Sequence, residues 1–368
     1  MISWTEAGEE RSARWQSENK SAAPKRVVIA DDKLTADSAF RLASEGNALL
    51  WRGDYQNARQ LLQALARRTE RKPRKAATSP LDAFNLHRQA QSQRARTLGM
   101  LLIEVAADYT VGLRRAPDIK LACNEAYGAS RGSFIVSLRE ILGLIGAHEW
   151  RKNGVEIPAL NARIHPYYGV FSPVRGEYLN LIAEAPLPTT KLAFDIGTGT
   201  GVIAALLAQR GVEQVIATDQ DPRALACARE NLNRLDLRDR VEVLEADLFP
   251  AGKAALIVCN PPWIPARPNS SIEYAIYDPD SRMLRGFLNG LAEHLEPKGE
   301  GWLILSDLAE HLGLRTRETL QQMIADAGLK LIKRMDIKPV HPRAADETDP
   351  LHSARSKEIT SLWRLAAR

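Results

Sequence analysis

The residues best suited to chemistry fall in two runs. The first is Phe194-Asp-Ile-Gly-Thr-Gly-Thr-Gly-Val202. Gly197, Gly199 and Gly201 remove side chains where a backbone turns tightly and lies against a ligand. Glycines at such spacing serve dinucleotides and nucleosides alike, so the spacing alone does not choose. Three details do. The last position of a GxGxxG fingerprint holds Val202 instead of Gly or Ala. Asp195 sets a carboxylate beside the turn, which repels a pyrophosphate and suits an ammonium group, held directly or through water. Asp219 closes the next apolar run, where an acid accepts hydrogen bonds from ribose hydroxyls. Asp247, at the end of a third run, can accept from an adenine amino group. The candidate ligand-binding set is Phe171, Asp195, Gly197, Thr198, Gly199, Gly201, Asp219, Gln220, Asp247, Leu248 and Asn260. Asp221-Pro222 reads instead as a helix N-cap with proline at its first position. No GxxxxGK run followed by Ser or Thr occurs, which excludes a P-loop.

The second run is Ile257-Val-Cys-Asn-Pro-Pro-Trp-Ile264. The Asn260 side-chain oxygen and the Pro261 carbonyl can accept the two N–H bonds of a planar amine, whose delocalised lone pair makes it a poor nucleophile. Holding that nitrogen pyramidal and aimed is a large catalytic term, and acceptors placed there stabilise the positive charge that develops. Pro261 and Pro262 stiffen the turn. Trp263 supplies a face for a flat group, and stacking a base on an aromatic ring is worth about 1–3 kcal/mol. Asn260, Pro261, Pro262 and Trp263 are therefore the candidate catalytic residues. The plainer alternative is a turn-forming Pro-Pro with a core tryptophan.

Both runs need strands to carry them. From residue 191 onward strands and helices alternate: strands at 192–196, 214–218, 241–244, 255–259 and 302–305, helices near 201–210, 222–235, 281–295 and 315–327. Such alternation predicts a parallel sheet covered on both faces. Runs at 331–337 and 359–365 have no helix between them and predict a final antiparallel pair. The fold class expected is α/β, a doubly wound sheet with its last strand antiparallel, behind a mixed, mostly helical N-terminal domain. Residues 1–30 are expected to be weakly ordered. Residues 31–155 are expected to form a substrate-docking domain, 156–190 a proline-rich connector covering the ligand, and 191–368 the catalytic domain. Within 31–155, apolar periods around Leu49-Leu50 and Leu61-Leu62, broken at Gly53-Asp54, predict a helical hairpin. Further helices are expected at 81–98 and 137–147, and a strand pair at 101–105 and 109–113.

The two runs together resemble class I amino-methyltransferases, whose signature is Asp, Asn or Ser followed by Pro-Pro-aromatic. Residues from about 167 to 368 resemble the "methyltransferase small" group, which holds HemK-type protein glutamine methyltransferases and ribosomal RNA guanine-N2 methyltransferases. The carrying residues are Asp195-Ile-Gly-Thr-Gly-Thr-Gly201, Asp219, Asp247 and Asn260-Pro-Pro-Trp263, with Tyr168-Gly-Val-Phe-Ser-Pro173 similar to the segment that covers the cofactor. Tyr277-Asp-Pro-Asp280 and Leu284-Arg-Gly-Phe287 are loosely similar to the run that follows the motif in HemK-type enzymes. The chain departs at Trp263, where HemK-type enzymes usually carry tyrosine, and at Val174-Arg-Gly-Glu177. The resemblance implies S-adenosyl-L-methionine as cofactor and N-methylation as reaction. It leaves open RNA, protein glutamine, a small molecule, or cofactor binding without turnover.

Charge bears on the substrate. The 368 residues carry a net charge of +5, divided as +7 over residues 1–190 and −2 over the remainder. The excess gathers around Arg67, Arg68, Arg71, Lys72, Arg74 and Lys75. A basic surface suits RNA, although a solvated helix face explains it as well. RNA or protein is the expected partner, ribosome-associated ones included. Cys123, Cys227 and Cys259 form no CxxC pair, no apolar run is long enough for a membrane span, and no secretory leader is read, so a cytoplasmic enzyme is expected. His341 and His352 share a loop with Asp346 and Asp349, but no ligand spacing is met, and no metal is expected.

Overall fold

The computed structural model describes residues 1–70, 76–173, 176–268, 273, 275–340 and 346–368. Arg71, Lys72, Arg74 and Lys75 of the basic stretch lie outside the described residues, as do Val174 and His341. The chain divides into two units, Met1–Ala77 with Asn85–Glu149, and Thr78–Phe84 with Trp150–Arg368. Of the expected boundaries at 30, 155 and 190, only the one near residue 155 has a counterpart, after Glu149, and residues 78–84 group with the second unit.

The first unit is organised by a six-stranded sheet in the order β1-β2-β6-β5-β4-β3. Its strands are β1 (Ile2–Glu6), β2 (Glu9–Trp15), β3 (Arg26–Ala30), β4 (Asn47–Trp51), β5 (Leu101–Val105) and β6 (Phe134–Ser137). Helices α1 (Ala36–Ser44), α2 (Tyr55–Glu70), α3 (Pro80–Gly99), α4 (Lys120–Tyr127) and α5 (Leu138–Asn153) connect them. The segment 1–30, expected to be weakly ordered, supplies three of the six strands. Ile2 and Trp4 alternate with exposed Ser3 and Thr5, and they pack with Ala48, Leu50, Leu102 and Ile135. The signal was short, and charged β2 hides it. The turn between them at Ala7-Gly8 has φ of 52° and 83°, the twist a tight hairpin needs.

The expected helical hairpin also gives way. Leu49 and Leu50 lie in β4, which pairs in parallel with β3 and β5. A strand inside such a sheet is buried on both faces, so its apolar run shows no alternation. Residues 109–113 form no strand; Tyr109 has φ of 63°, and β5 pairs with β6 instead.

The second unit holds a seven-stranded sheet in the order β11-β10-β9-β12-β13-β15-β14. The strands are β9 (Leu192–Ile196), β10 (Gln214–Asp219), β11 (Val241–Glu245), β12 (Ala254–Cys259), β13 (Leu295–Ser306), β14 (Leu329–Ile337) and β15 (Thr360–Ala367). The first five run parallel, and β15 is antiparallel to both neighbours. This is the class I methyltransferase arrangement. Helices α6 (Glu177–Glu184), α7 (Val202–Gln209) and α8 (Pro222–Arg234) pack one face, and α9 (Arg282–His294) and α11 (Arg317–Asp326) the other. Short helices α10 (Leu308–His311) and α12 (His352–Arg355) lie in the loops after β13 and before β15. Upstream, β7 (Val155–Ile157) and β8 (Ala162–Ile164) form a small hairpin whose Ile157 and Ile164 join the same core as α6 and α7. Chain order reverses at β9, which has β10 on one side and β12 on the other. Open α/β sheets bind ligands outside the carboxyl ends of strands at such a reversal.

Candidate active site

Asp195 sits near the end of β9 with its side chain wholly buried. Its Oδ2 accepts from Thr198 Oγ1 at 2.7 Å and from the Ala204 amide at 3.1 Å. Its Oδ1 is buried without a partner. Burial, with the nearby Asp219 charge adding, pushes its pKa up to about 7 against the hydrogen bonds that favour the carboxylate.

The turn after β9 is built on glycines that carry positive φ: 72° at Gly197, 55° at Gly199 and 80° at Gly201. L side chains rarely adopt that conformation. The three do different work. A Cβ at Gly201 would lie 3.3 Å from Ala228, so this glycine lets α7 begin close against α8. A Cβ at Gly197 would meet Met283 of α9 at 2.4 Å. Gly199 has open space where its Cβ would be.

Asp219 ends β10. Its Oδ2 accepts from the Gly199 amide and its Oδ1 from the Asp221 amide, each at 3.0 Å. It thus holds the glycine turn to the start of α8, and burial raises its pKa. Carboxylate oxygens carry further lone pairs, so a ribose hydroxyl can still be accepted. Asp221 caps α8 by accepting from the Arg223 amide at 2.9 Å, as the sequence implied. Gln220, beside it, is exposed. Asp247 is half-exposed and paired with Arg282 at 2.6 Å, a partner that sequence reasoning had not named. Leu248 adopts φ of 82°, and its carbonyl accepts from Thr218 Oγ1 at 2.5 Å.

Cys259 pairs in parallel with Ile196, so Asn260 and Gly197 leave the sheet side by side. The Trp263 indole N–H donates to Asn260 Oδ1 at 2.9 Å. Beyond Pro261 and Pro262, the Ile264 amide donates to the Ile276 carbonyl at 3.2 Å, and the Ile264 carbonyl accepts from Asp278 at 2.8 Å. Asp278 then accepts from the Met283 and Leu284 amides at 3.0 and 3.1 Å, fixing the first turn of α9. Met283 in turn rests over Gly197. The two chemical runs are therefore joined by strand register on one side and by Asp278 and Met283 on the other.

Phe171 is 38% exposed. Its segment is strapped to α8: Val170 packs on Ala224 and Cys227, and Arg223 donates to the Tyr168 carbonyl at 3.3 Å. The Tyr167 hydroxyl donates to Glu230 at 2.5 Å. The strap is anchored to the helix that Asp219 introduces. Tyr178, Asp278, Arg282 and Met283 went unassigned from sequence. Only the Asp-Pro-Asp run gave a signal, since the others reach the site through tertiary contacts.

Residues 163–327 match the family model "Methyltransferase small domain". This stretch, which holds both chemical runs, is similar to that domain family. Among its relatives is the tRNA1(Val) (adenine(37)-N6)-methyltransferase of Shewanella loihica, 28% identical over 53% of this chain and 84% of the relative. The release factor glutamine methyltransferase of Cereibacter sphaeroides is 32% identical over 49% of this chain and 65% of the relative. Among solved structures, a methyltransferase from Pyrococcus furiosus aligns with TM-score 0.40 and 18% identity, covering 62% of this chain and 99% of that one. The methyltransferase domain begins after the first unit, so residues 1–162 lie outside the family match.

The methyltransferase uses S-adenosylmethionine, and its residues fit that cofactor. Asp195 has a buried oxygen without a partner among the described residues, which would suit an ammonium group, directly or through water. Gly199 leaves open space beside the turn, and Asp219, at the end of β10, would suit ribose hydroxyls.

Proposed function

We propose that this methyltransferase modifies an NH2 group conjugated to a ring or carbonyl on a macromolecule, with an RNA base as its substrate. The observation that carries the reading is the Asn260-Pro-Pro-Trp263 turn, set beside the glycine turn by the Cys259–Ile196 register. Bound cofactor supplies an electrophilic methyl group on a sulfonium. The chain supplies position. Asn260 Oδ1 and the Pro261 carbonyl accept the two N–H bonds of the acceptor and favour a pyramidal nitrogen. They also stabilise the charge that grows on it.

RNA is favoured by two features. The chain's whole positive excess lies in the segment 1–190. The relative from Shewanella loihica is, by name, a transfer RNA adenine-N6 methyltransferase. Part of the excess is internally paired, Arg68 with Asp37 at 2.8 Å and Arg94 with Glu70, while Arg67 and Arg96 are exposed. We read the first unit as the docking unit and the protein as cytoplasmic; among the described residues no helix is long and apolar enough to cross a membrane. Protein glutamine is the second reading, supported by the likeness to a release factor glutamine methyltransferase.

The test is methyl transfer from radiolabelled S-adenosylmethionine into lysate of cells lacking the protein, followed by RNase or protease. Label removed by RNase is expected. Label removed only by protease would replace this reading with the glutamine one.

A further inference from the structure

The Trp263 indole donates to Asn260 Oδ1 at 2.9 Å within one turn. An indole N–H is a donor only, so the atom it faces must be the amide oxygen and not the amide nitrogen. That removes the usual ambiguity of an asparagine side chain. The Trp263 ring is partly buried and packs against the cores on both faces of the sheet, and beside Ile264 and Leu308. Packing therefore fixes the direction of its N–H. On the other side the Asn260 side chain lies near the hydroxyl of Tyr178, which lies in α6 and is 3% exposed. The amide is therefore held from within its own turn.

A carbonyl oxygen has two lone pairs. The indole occupies one, and one remains. We propose that Trp263 is a positioning residue, whose indole N–H locks Asn260 with its oxygen toward the acceptor and leaves one lone pair that selects acceptors bearing an N–H. This rests on the reading of Asn260 as the group that touches the acceptor. An amine or amide NH2 gives a hydrogen to that lone pair. An ether, a thioether or a ring nitrogen without hydrogen brings lone pair against lone pair and is refused. Were the amide free to flip, its NH2 would face the acceptor, and the preference would reverse.

Trp263→Phe keeps a ring and removes the donor. Methyl transfer to total tRNA from cells lacking the protein should lose about five- to tenfold in kcat, the worth of one hydrogen bond. KM should stay within about twofold, and affinity for S-adenosylhomocysteine should not change. A loss carried by KM with kcat intact would make the ring a stacking platform and overturn the proposal, as would no loss at all. A second measurement needs no acceptor. Among the seven tryptophans, the 15N-indole resonance that disappears in Trp263→Phe should move upfield in Asn260→Ala. A resonance that stays in place overturns the lock. If wild-type protein labels no tRNA, the substrate reading fails, and the indole resonance still decides this one.

Discussion

Asp195 presents one oxygen to its own turn and leaves the other without a partner among the described residues. Desolvation, helped by Asp219, brings its pKa to about 7. Without ligand, the folded chain therefore holds a proton that the unfolded chain releases near the ordinary carboxylate value. Its contribution to stability falls as pH rises through that window to about 7. A cationic ammonium group favours the carboxylate and reverses the preference. Affinity for S-adenosylhomocysteine should rise by up to about tenfold from about pH 6 to about pH 8, and Asp195→Asn should flatten the profile. Calorimetry across that range checks it, and a flat wild-type profile counts against Asp195 as the ammonium site. Asn260 and Asp219 divide differently. Asn260→Ala should cut turnover by about a hundredfold or more with cofactor affinity within about twofold. Asp219→Ala strips acceptors from the Gly199 and Asp221 amides, so cofactor affinity should fall about ten- to a hundredfold. Equal loss of cofactor binding in both variants would sink this division. Asp195, Asp219 and Asn260 stood out in the sequence because each lies at or just past the carboxyl end of a strand, where an open sheet takes its ligands. Tyr178 and Met283 did not, because an aromatic or methionine in a helix reads as core until a distant turn is seen beneath it.

At the scale of elements, the methyltransferase unit was read nearly strand for strand because each β-α pair carries its own periodic signal. The first unit was not. β4 is buried on both faces and β2 on almost none, so neither shows the alternation that marks a half-buried strand. The strap before α6 shows another limit: its proline and tyrosine content suggests a cover, but its anchor is non-local. Glu230 of α8 accepts from Tyr167 at 2.5 Å, Arg151 at 2.6 Å and Arg234 at 2.8 Å. Burial opposes its charge, but these hydrogen bonds together hold its pKa at about 2. Because the folded value is depressed, its stabilisation is present above the ordinary carboxylate range and is lost as pH falls through about 2. Glu230→Gln should lower unfolding free energy by about 1–3 kcal/mol near neutral pH. Denaturant unfolding at about pH 7 and about pH 3 checks the sign, since the gap between variant and wild type should narrow at the lower pH. A gap that widens there means Glu230 does not anchor the strap through its charge.

At the scale of the whole molecule, the sign of charge changes along the chain: +7 over residues 1–190 and −2 beyond. A catalytic unit of slight negative charge does not draw in a polyanion, so the attraction must come from the basic N-terminal half. Each phosphate contact releases counterions and adds about 0.7–0.9 to the slope of log affinity against log salt. Four such contacts give a slope of about −3, whereas protein docking through a groove gives a shallow one. Arg67 and Arg96 are exposed, and both lie in the first unit. Arg67→Glu with Arg96→Glu should weaken binding to total tRNA across all sequences alike and reduce the slope by about 2, with cofactor affinity unchanged, because both residues belong to a different unit from the glycine turn. Fluorescence anisotropy at several salt concentrations measures both quantities. A wild-type slope near zero would show that phosphate is not what the basic half contacts. Its excess charge would then need an acidic protein partner, which is the condition the glutamine reading requires.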